Sequence, residues 1–268
     1  MRSILLVTFS LVLASCGARS VQHNVGGSAD SGTKPSDTVV ILGGSSDGAT
    51  DSVTCLAEDS DTGSQEDNFP YGDFVTNTKS NEIKLMAYNL ENLFDTEHDV
   101  VNGQDKNDYF YLPANHPLKD KCGSDKRCKE FDWNDSKLTL KIDRLAKVIE
   151  SQGDLPDVIG FEEIENAKVL GKLADRLGYS KQNLVITQGP DERGIEVAVL
   201  YKTDKLTFVE SKEHGVDPGN DRPTRDVLEV VFDINLKPGE RLAVYVNHWP
   251  SQGTPMSGWK RSSAAMTL

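Results

Sequence analysis

From residue 83 onward the chain alternates between short apolar runs and two segments of helical periodicity, and this alternation limits the folds open to it. One amphipathic helix is predicted behind a cap at Asp135 or Ser136 and ends near Ser151; its apolar positions are Leu138, Ile142, Leu145 and Ile149. A second ends at Gly178, with apolar positions at Val169, Leu170, Leu173 and Leu177. Strand-like runs lie at 83–88, 157–161, 183–187, 195–201, 227–235 and 241–247. Intermixed strands and helices predict a layered α/β (α+β) domain, with helices outside stacked sheets.

The N-terminus has the features of an export signal. Arg2 precedes the apolar run Ile4–Leu13, which is too short to span a bilayer as a helix, so residues 1–15 are predicted to be a signal peptide. Leu13-Ala-Ser-Cys16 resembles a bacterial lipobox, in which cleavage leaves Cys16 to carry lipid. The alternative is an ordinary cleavage site with an incidental cysteine. The lipobox predicts a lipid-anchored protein of the bacterial cell envelope, at the outer membrane or cell surface.

Residues 16–80 read as a disordered tether between that lipid and a domain at 81–268. Gly, Ser, Asp and Thr dominate the segment, and Val39–Leu42 is its one short apolar island. Such a composition buries too little apolar surface to offset the entropy lost on ordering.

Three cysteines follow Cys16, and an exported chain can keep disulfides. Cys122 and Cys128 lie close together in one loop, so a local bridge between them is predicted. Cys55 is left over, and its pairing with either of the others stays open. A zinc site is the weaker alternative, because no second Cys or His pair has ligand spacing.

The net charge of −13 argues against a protein that coats nucleic acid through a broad basic face. It does not exclude a phosphoesterase, because a bound divalent cation and a few arginines create a local positive site.

Five segments, each at the end of a predicted strand, resemble the endonuclease/exonuclease/phosphatase superfamily in type and order. They are Ala87–Asp95, Gly160–Asn166, Arg193–Tyr201, Arg222–Val230 and Val246–Ser251. The resemblance covers about residues 81–268 and is closest in character to bacterial secreted or surface nucleases. It implies a four-layered α/β/β/α sandwich and a metal-dependent phosphoesterase.

The resemblance also assigns site residues. Glu163 matches the metal-ligating glutamate of the family, and Asn89 matches an asparagine that helps to hold the metal or the scissile phosphate. The implied ion is Mg²⁺, or Mn²⁺ or Ca²⁺, which take oxygen ligands. The alternative for the acidic run around Glu163 is a solvated helix start.

His248 matches the catalytic histidine, which would donate a hydrogen bond or proton to a phosphate oxygen. Arg225 matches an arginine near the phosphate, where its planar fork suits bidentate contact. The alternatives are packing beside Trp249 for His248, and a surface ion pair with Asp226 or Asp221 for Arg225. Glu91 and Arg193 are weaker candidates for the same cleft.

Two expected motifs do not occur in the printed sequence. After His248 the family pattern calls for Gly-Asp-Phe-Asn and later Ser-Asp-His, whereas the sequence closes at Leu268. We therefore expect a truncated domain, incomplete in its second half and inactive by itself. Gly72-Asp-Phe74 precedes the first predicted strand and is read as linker, and Asp95–Asp99 departs from a calcium loop because Val100 replaces the glycine.

Three functions follow from these patterns. The leading hypothesis is a phosphodiesterase that takes nucleic acid as substrate, with the membrane contacted through the lipid anchor and no protein partner inferred. The second is a lipid or sugar-phosphate phosphatase of the same superfamily. The third is a non-catalytic envelope lipoprotein that uses the domain for binding.

Overall fold

The computed structural model describes residues 4–11, 18–21, 40–44, 82–217 and 224–249, together with Ser262 and Thr267. Its strands are β1 (Ile4–Leu11), β2 (Ala18–Val21), β3 (Val40–Gly44), β4 (Lys84–Leu93), β5 (Val100–Val101), β6 (Gln104–Asp105), β7 (Val158–Ile164), β8 (Leu184–Ile186), β9 (Glu196–Tyr201), β10 (Leu206–His214), β11 (Val227–Ile234) and β12 (Arg241–His248). Its α-helices are α1 (Lys126–Glu130), α2 (Asp135–Glu150) and α3 (Ala167–Leu177). Short 3₁₀ helices cover Tyr109–Tyr111, Pro117–Cys122 and Lys181–Asn183.

The strands form two large sheets and one small hairpin. The first sheet has the order β2-β3-β4-β7-β9-β8, with β4 parallel to β7 and β7 antiparallel to β9. The second has the order β1-β12-β11-β10, with β11 antiparallel to both β10 and β12. Strands β5 and β6 pair by themselves.

Alternation along β4 shows how the first sheet is buried on both faces. Leu85 and Ala87 pack in the core between the two sheets, whereas Met86 packs against the helices. Successive residues of a strand point to opposite faces, so an apolar run of this kind serves two cores at once. The described residues therefore form a mixed α/β fold of three layers: one layer of helices and two stacked sheets. The second helical layer of the expected four-layered sandwich is not among the described residues.

Both predicted helices are present, and their ends have identifiable causes. The cap of α2 is Asn134, whose side chain accepts a hydrogen bond from the Lys137 N–H, so the predicted cap at Asp135 or Ser136 was wrong by one or two positions. Asn166 caps α3 in the same way. Gly178 ends α3 in the left-handed conformation (φ 77°), which glycine adopts without a Cβ clash.

Three segments expected to lie outside the domain are strands of its sheets here. Strand β1, within the predicted signal peptide, pairs in parallel with β12, and β3, which overlaps the apolar island Val39–Leu42, pairs in parallel with β4. Strand β2, within the predicted tether, pairs with β3. Apolar β-branched runs can satisfy the open hydrogen-bonding edge of a sheet, which is the physical reason for this difference. Over the part of the chain that the structure describes, no helix is both long and apolar enough to cross a bilayer.

Candidate active site

Strained backbone surrounds the ends of β4 and β7. Glu91 (φ 54°), Asn92 (φ 64°) and Glu163 (φ 60°) adopt left-handed conformations, although none is glycine. Each such residue costs about 1–2 kcal/mol relative to a right-handed one. Lys141 stabilises the turn, because its Nζ donates to the backbone carbonyls of both Glu91 and Asn92. Strain held in this way is characteristic of sites whose geometry serves a function.

Glu163 is a buried carboxylate with incomplete compensation. The residue is 8% exposed, and burial raises the pKa of its carboxyl group. The Asn89 side chain, the Asn92 N–H and the Arg193 charge act in the opposite direction and lower that pKa, whereas the Glu91 charge raises it. A cation bound beside Glu163 would stabilise the charged form by the same physics.

His248 closes the site from the second sheet. Its Nε2 lies 3.5 Å from Glu163 Oε1, and its Nδ1 lies 3.7 Å from Glu162 Oε2. Burial, followed by the Arg225 and Arg193 charges, lowers the pKa of His248 well below the usual value for histidine. The imidazole is therefore neutral at pH 7, so these short distances are contacts of a neutral ring and one of its nitrogens carries a proton that can be donated.

Arg225 is fixed behind His248. Its Nη1 lies 3.1 Å from Asp191 Oδ2, and its Nη2 donates to the His248 carbonyl oxygen over 3.1 Å. Asp191 also accepts a hydrogen bond from the Arg193 N–H at 2.8 Å. The alternative of a surface pair with Asp226 is wrong, since the described partner is the buried Asp191; Asp221 lies outside the described residues.

Three buried polar atoms in this cleft lack a hydrogen-bond partner within the described residues: Asn89 Nδ2, Arg225 Nε and His248 Nδ1. Leaving such a group unsatisfied costs about 1–3 kcal/mol. Two of the three atoms are donors, and a ligand with several acceptor oxygens would satisfy them. The cleft is thus suited to a phosphate group.

The residues fit a hydrated magnesium-type ion and do not fit a protein-caged metal. In the described ranges, no group of three or more His, Cys, Asp or Glu side chains is arranged to hold a metal ion. Mg²⁺ is commonly held by one or two carboxylates, with waters and substrate oxygens completing its shell. Glu163 supplies such a carboxylate, and the Asn89 amide lies beside it.

All four predicted cleft residues meet in one place, although Asn89 and His248 are far apart in sequence. A chain of contacts runs from Asn89 to Glu163, to His248 and to Arg225. Their chemical roles stay predictions. Elsewhere, Cys122 and Cys128 form a disulfide between the second 3₁₀ helix and α1. The positions of Cys16 and Cys55 lie outside the described residues.

Sequence reasoning did not select two buried acids that contact the site. Glu162 is 1% exposed and lies against His248, and Asp191 is 4% exposed and pairs with Arg225. Glu162 directly precedes Glu163 in the strand-end motif, so the prediction of Glu163 could have drawn attention to Glu162 as well. Asp191 carried no such signal, because its contact with Arg225 joins two separate loops.

Comparison with known proteins gives a match of residues 84–268 to the model of the Endonuclease/Exonuclease/phosphatase family. Among solved structures, the chain is similar to humanized D. rerio TDP2, with 16% identity, a TM-score of 0.37, and coverage of 49% of this chain and 51% of that one. It is also similar to a Bacteroides thetaiotaomicron endonuclease/exonuclease/phosphatase family protein (16% identity, TM-score 0.35, 48% and 47% covered). A third is the human Nocturnin catalytic domain with bound sulfate (14% identity, TM-score 0.37, 48% and 49% covered). The chain thus spans about half the length of these structures, and no curated protein sequence matched it.

Proposed function

Because the chain belongs to the endonuclease/exonuclease/phosphatase family, we propose that this hydrolase domain acts as a metal-dependent phosphodiesterase on nucleic acid. The observation that carries the proposal is the meeting of Asn89, Glu163, Arg225 and His248 around buried polar atoms that a ligand would satisfy. These four residues come from three strand ends and one loop, and local sequence does not require them to meet.

Each side chain has a task that its surroundings support. Glu163 would hold the divalent cation, Mg²⁺ or a substitute such as Mn²⁺ or Ca²⁺, with Asn89 beside it. When bound, such an ion polarises a phosphoryl oxygen and neutralises developing negative charge. Asn89 Nδ2, which has no partner among the described residues, would donate to the phosphate.

The histidine and the arginine act on the opposite side of the phosphate. Because its pKa is lowered, His248 is neutral near pH 7. The neutral ring can donate a hydrogen bond to a phosphate oxygen, and no positive charge has to be buried. Arg225 orients His248 through the carbonyl contact at 3.1 Å, and its Nε is left to reach an oxygen of the ligand.

The test measures both hydrolysis and binding, so that a low catalytic rate does not hide an interaction with the substrate. Purified protein is incubated with single-stranded and double-stranded DNA and RNA in Mg²⁺, Mn²⁺ or Ca²⁺, and with EDTA as the control. Binding of an uncleavable phosphorothioate oligonucleotide is followed by fluorescence anisotropy under the same conditions. We expect any cleavage to require metal, and we expect the oligonucleotide affinity to change when metal is added; an affinity unaffected by metal in the absence of any cleavage would reject the proposal.

A panel of other phosphoesters separates the nuclease from the other hydrolases of its family. Inositol phosphates, sugar phosphates and sphingomyelin are offered at equal concentration, and released phosphate or headgroup is measured. Faster turnover of any of these than of nucleic acid would transfer the assignment to a lipid or sugar-phosphate phosphatase.

We also propose that the protein is held at the bacterial cell envelope by lipid on Cys16. The support is the sequence Leu13-Ala-Ser-Cys16. Cleavage before Cys16 would remove strand β1, so its pairing with β12 would belong to the uncleaved precursor. In a bacterial host the wild-type chain should incorporate labelled palmitate and partition into detergent, and Cys16→Ala should do neither. A wild-type chain that stays unlabelled and in the aqueous phase would show that the cysteine is incidental.

A further inference from the structure

A second concave surface lies next to the candidate active site. It has a volume of about 440 Å³ and runs between α2 and the loop before it, and its lining includes Tyr88, Phe131, Trp133, Lys137, Lys141 and Arg144. Tyr88 directly precedes Asn89, and Lys141 holds the carbonyls of the strained turn at Glu91 and Asn92. We call this surface the aromatic groove.

The floor of the groove is built from aromatic rings held in place by their neighbours. The rings of Phe131 and Trp133 are nearly parallel, at an interplanar angle of 11° and a centroid distance of 6.1 Å. Trp133 is fixed by a hydrogen bond from its Nε1 to the Phe94 carbonyl at 3.1 Å. Phe131 and Tyr88 are half-buried and so keep part of their surface available.

The rim of the groove is cationic. Lys137, Lys141 and Arg144 lie on one face of α2, and none of the three forms an ion pair within the described ranges. Lys137 Nζ lies 5.6 Å from the centre of the Phe131 ring, and Lys141 Nζ lies 5.9 Å from that of Trp133. Elsewhere on this acidic chain, cations such as Arg176 and Lys168 pair directly with carboxylates. A local excess of cations on a protein of net charge −13 is complementary to an anion.

Flat rings with cations close to them suit a ligand that carries both a ring and phosphates. Single-stranded nucleic acid has this composition: an unstacked base lies on an aromatic side chain, and the flanking phosphates meet lysine and arginine. A duplex keeps its bases stacked inside and cannot offer a free ring to the floor. An inositol or sugar phosphate has the charge and lacks the ring.

We propose that the aromatic groove is a binding subsite for single-stranded nucleic acid, in which one base stacks on Phe131 and Tyr88 while neighbouring phosphates contact Lys137 and Arg144. The proposal rests on the proposed function, because the groove would lead the strand to Glu163 and His248. It extends that function by naming the single strand as the preferred substrate.

Binding is measured by fluorescence anisotropy in EDTA at low salt, so that no cleavage occurs. The probe is an oligothymidylate of about 12 nucleotides, compared with a chain of equal length and charge made of abasic spacers. We expect the wild-type protein to bind the oligothymidylate about tenfold more tightly than the spacer chain. Equal affinity for the two would mean that no base is bound in the groove and would overturn the proposal.

The variants separate charge from stacking. Lys137→Glu and Arg144→Glu should each weaken binding about fivefold to tenfold, and each lost phosphate contact should reduce the slope of log affinity against log salt by about 0.7. Phe131→Ala should weaken binding about tenfold, whereas Phe131→Tyr should restore it. The matched control is Lys172→Glu, which reverses the charge of an exposed lysine on α3 outside the groove. Wild-type affinity in both charge variants, or equal losses in the control, would overturn the proposal.

Two further outcomes are informative. Binding to vesicles of anionic phospholipid that is lost in Lys137→Glu and Arg144→Glu, without binding to the oligonucleotide, would assign the groove to a membrane surface and overturn the proposal. Groove-dependent binding without metal-dependent cleavage would support the subsite and count against the proposed catalysis. Cleavage with wild-type affinity in both charge variants would do the reverse.

Discussion

Two buried glutamates, Glu163 and Glu165, lie two residues apart at the end of β7 and differ in what surrounds them. Glu163 faces the cleft, with His248 Nε2 at 3.5 Å and three polar atoms nearby that lack partners among the described residues. Glu165 faces a closed cluster of acids, where its Oε2 accepts the Asp95 N–H at 2.6 Å. Burial raises the pKa of both carboxyl groups.

The two residues resolve the cost of burial in different ways. Burial, with added repulsion from Asp95, Asp99 and Asp108, raises the pKa of Glu165 to about 9, so this carboxyl keeps its proton at neutral pH. For Glu163, the Asn89 side chain, the Asn92 N–H and the Arg193 charge act against burial and lower the pKa of the carboxyl group. The two acids therefore differ in whether their neighbours favour or oppose the charged carboxylate that a metal ion needs.

The largest expected effect separates the two residues directly. Glu163→Gln should weaken Mn²⁺ binding at least about 100-fold, because it removes the charge and keeps the shape. The matched control is Glu165→Gln, which substitutes a side chain that is neutral at pH 7 and should leave Mn²⁺ affinity unchanged. Calorimetry or electron paramagnetic resonance of bound Mn²⁺ measures both. Equal losses in the two variants would mean that the comparison is wrong.

His248→Ala tests whether the histidine beside Glu163 takes part in hydrolysis without contributing to metal binding. We expect phosphodiester hydrolysis to fall about 100-fold, since a hydrogen-bond donor to the phosphate is lost, while Mn²⁺ affinity stays within about twofold. His116→Ala, in a loop away from the cleft, is the control. A loss of metal affinity equal to that of Glu163→Gln would make His248 part of the ion site instead.

Arg225→Lys should have a smaller effect, on the affinity for the phosphate of the substrate. An ammonium group cannot contact Asp191, the His248 carbonyl and a phosphate in the way that the guanidinium fork can. Affinity for a phosphorothioate oligonucleotide should fall about tenfold despite the conserved charge. Arg241→Lys, which alters a pair with Asp233 at 2.9 Å on the second sheet, should have no effect on that affinity.

The last effect, the smallest when counted per unit of pH, concerns stability and the protonation of Glu165. Its folded-state pKa of about 9 is above the ordinary value of 4.5, so the stability contributed by the protonated form is complete below 4.5 and is lost as pH rises through about 9. In Glu165→Gln the free energy of unfolding should therefore decline less steeply between about pH 5 and pH 8, by up to about 1 kcal/mol per pH unit. Denaturant melts at several pH values measure this slope, with the exposed Glu210→Gln as control. An unchanged slope would indicate that Glu165 is ionised in the folded protein.

Much of the fold was predictable because buried strands and amphipathic helices leave strong patterns. Both long helices and the apolar strands from residue 84 onward are where the periodicity placed them. Strand β10 was missed, since most of its residues are exposed and charged positions such as Lys212 and Glu213 give it the composition of a loop. Edge strands of this kind are specified by pairing with a neighbour, which the local sequence does not reveal.

The meeting of the four candidate side chains could be predicted from the sequence, whereas the charges around them could not. Motifs at strand ends indicate Asn89, Glu163 and His248 by their sequence alone. The Asp191–Arg225 pair and the acid cluster around Glu165 depend on contacts between segments distant in sequence. The neutral state of His248 likewise follows from burial and two arginines, which only the folded arrangement brings together.

Lys141 lies at both the candidate active site and the aromatic groove, and this shared ammonium group would link binding at the two. Its Nζ holds the carbonyls of Glu91 and Asn92 beside Glu163, and its side chain also lines the aromatic groove. A strand in the groove whose phosphate competes for Lys141 must release that turn, and the metal ion would then bind more weakly. Linkage is reciprocal, so the bound ion would lower the affinity for the nucleic-acid strand by the same factor. Loading of the groove and loading of the metal site would then be antagonistic events, a form of negative cooperativity that would favour release of the strand from a metal-loaded protein.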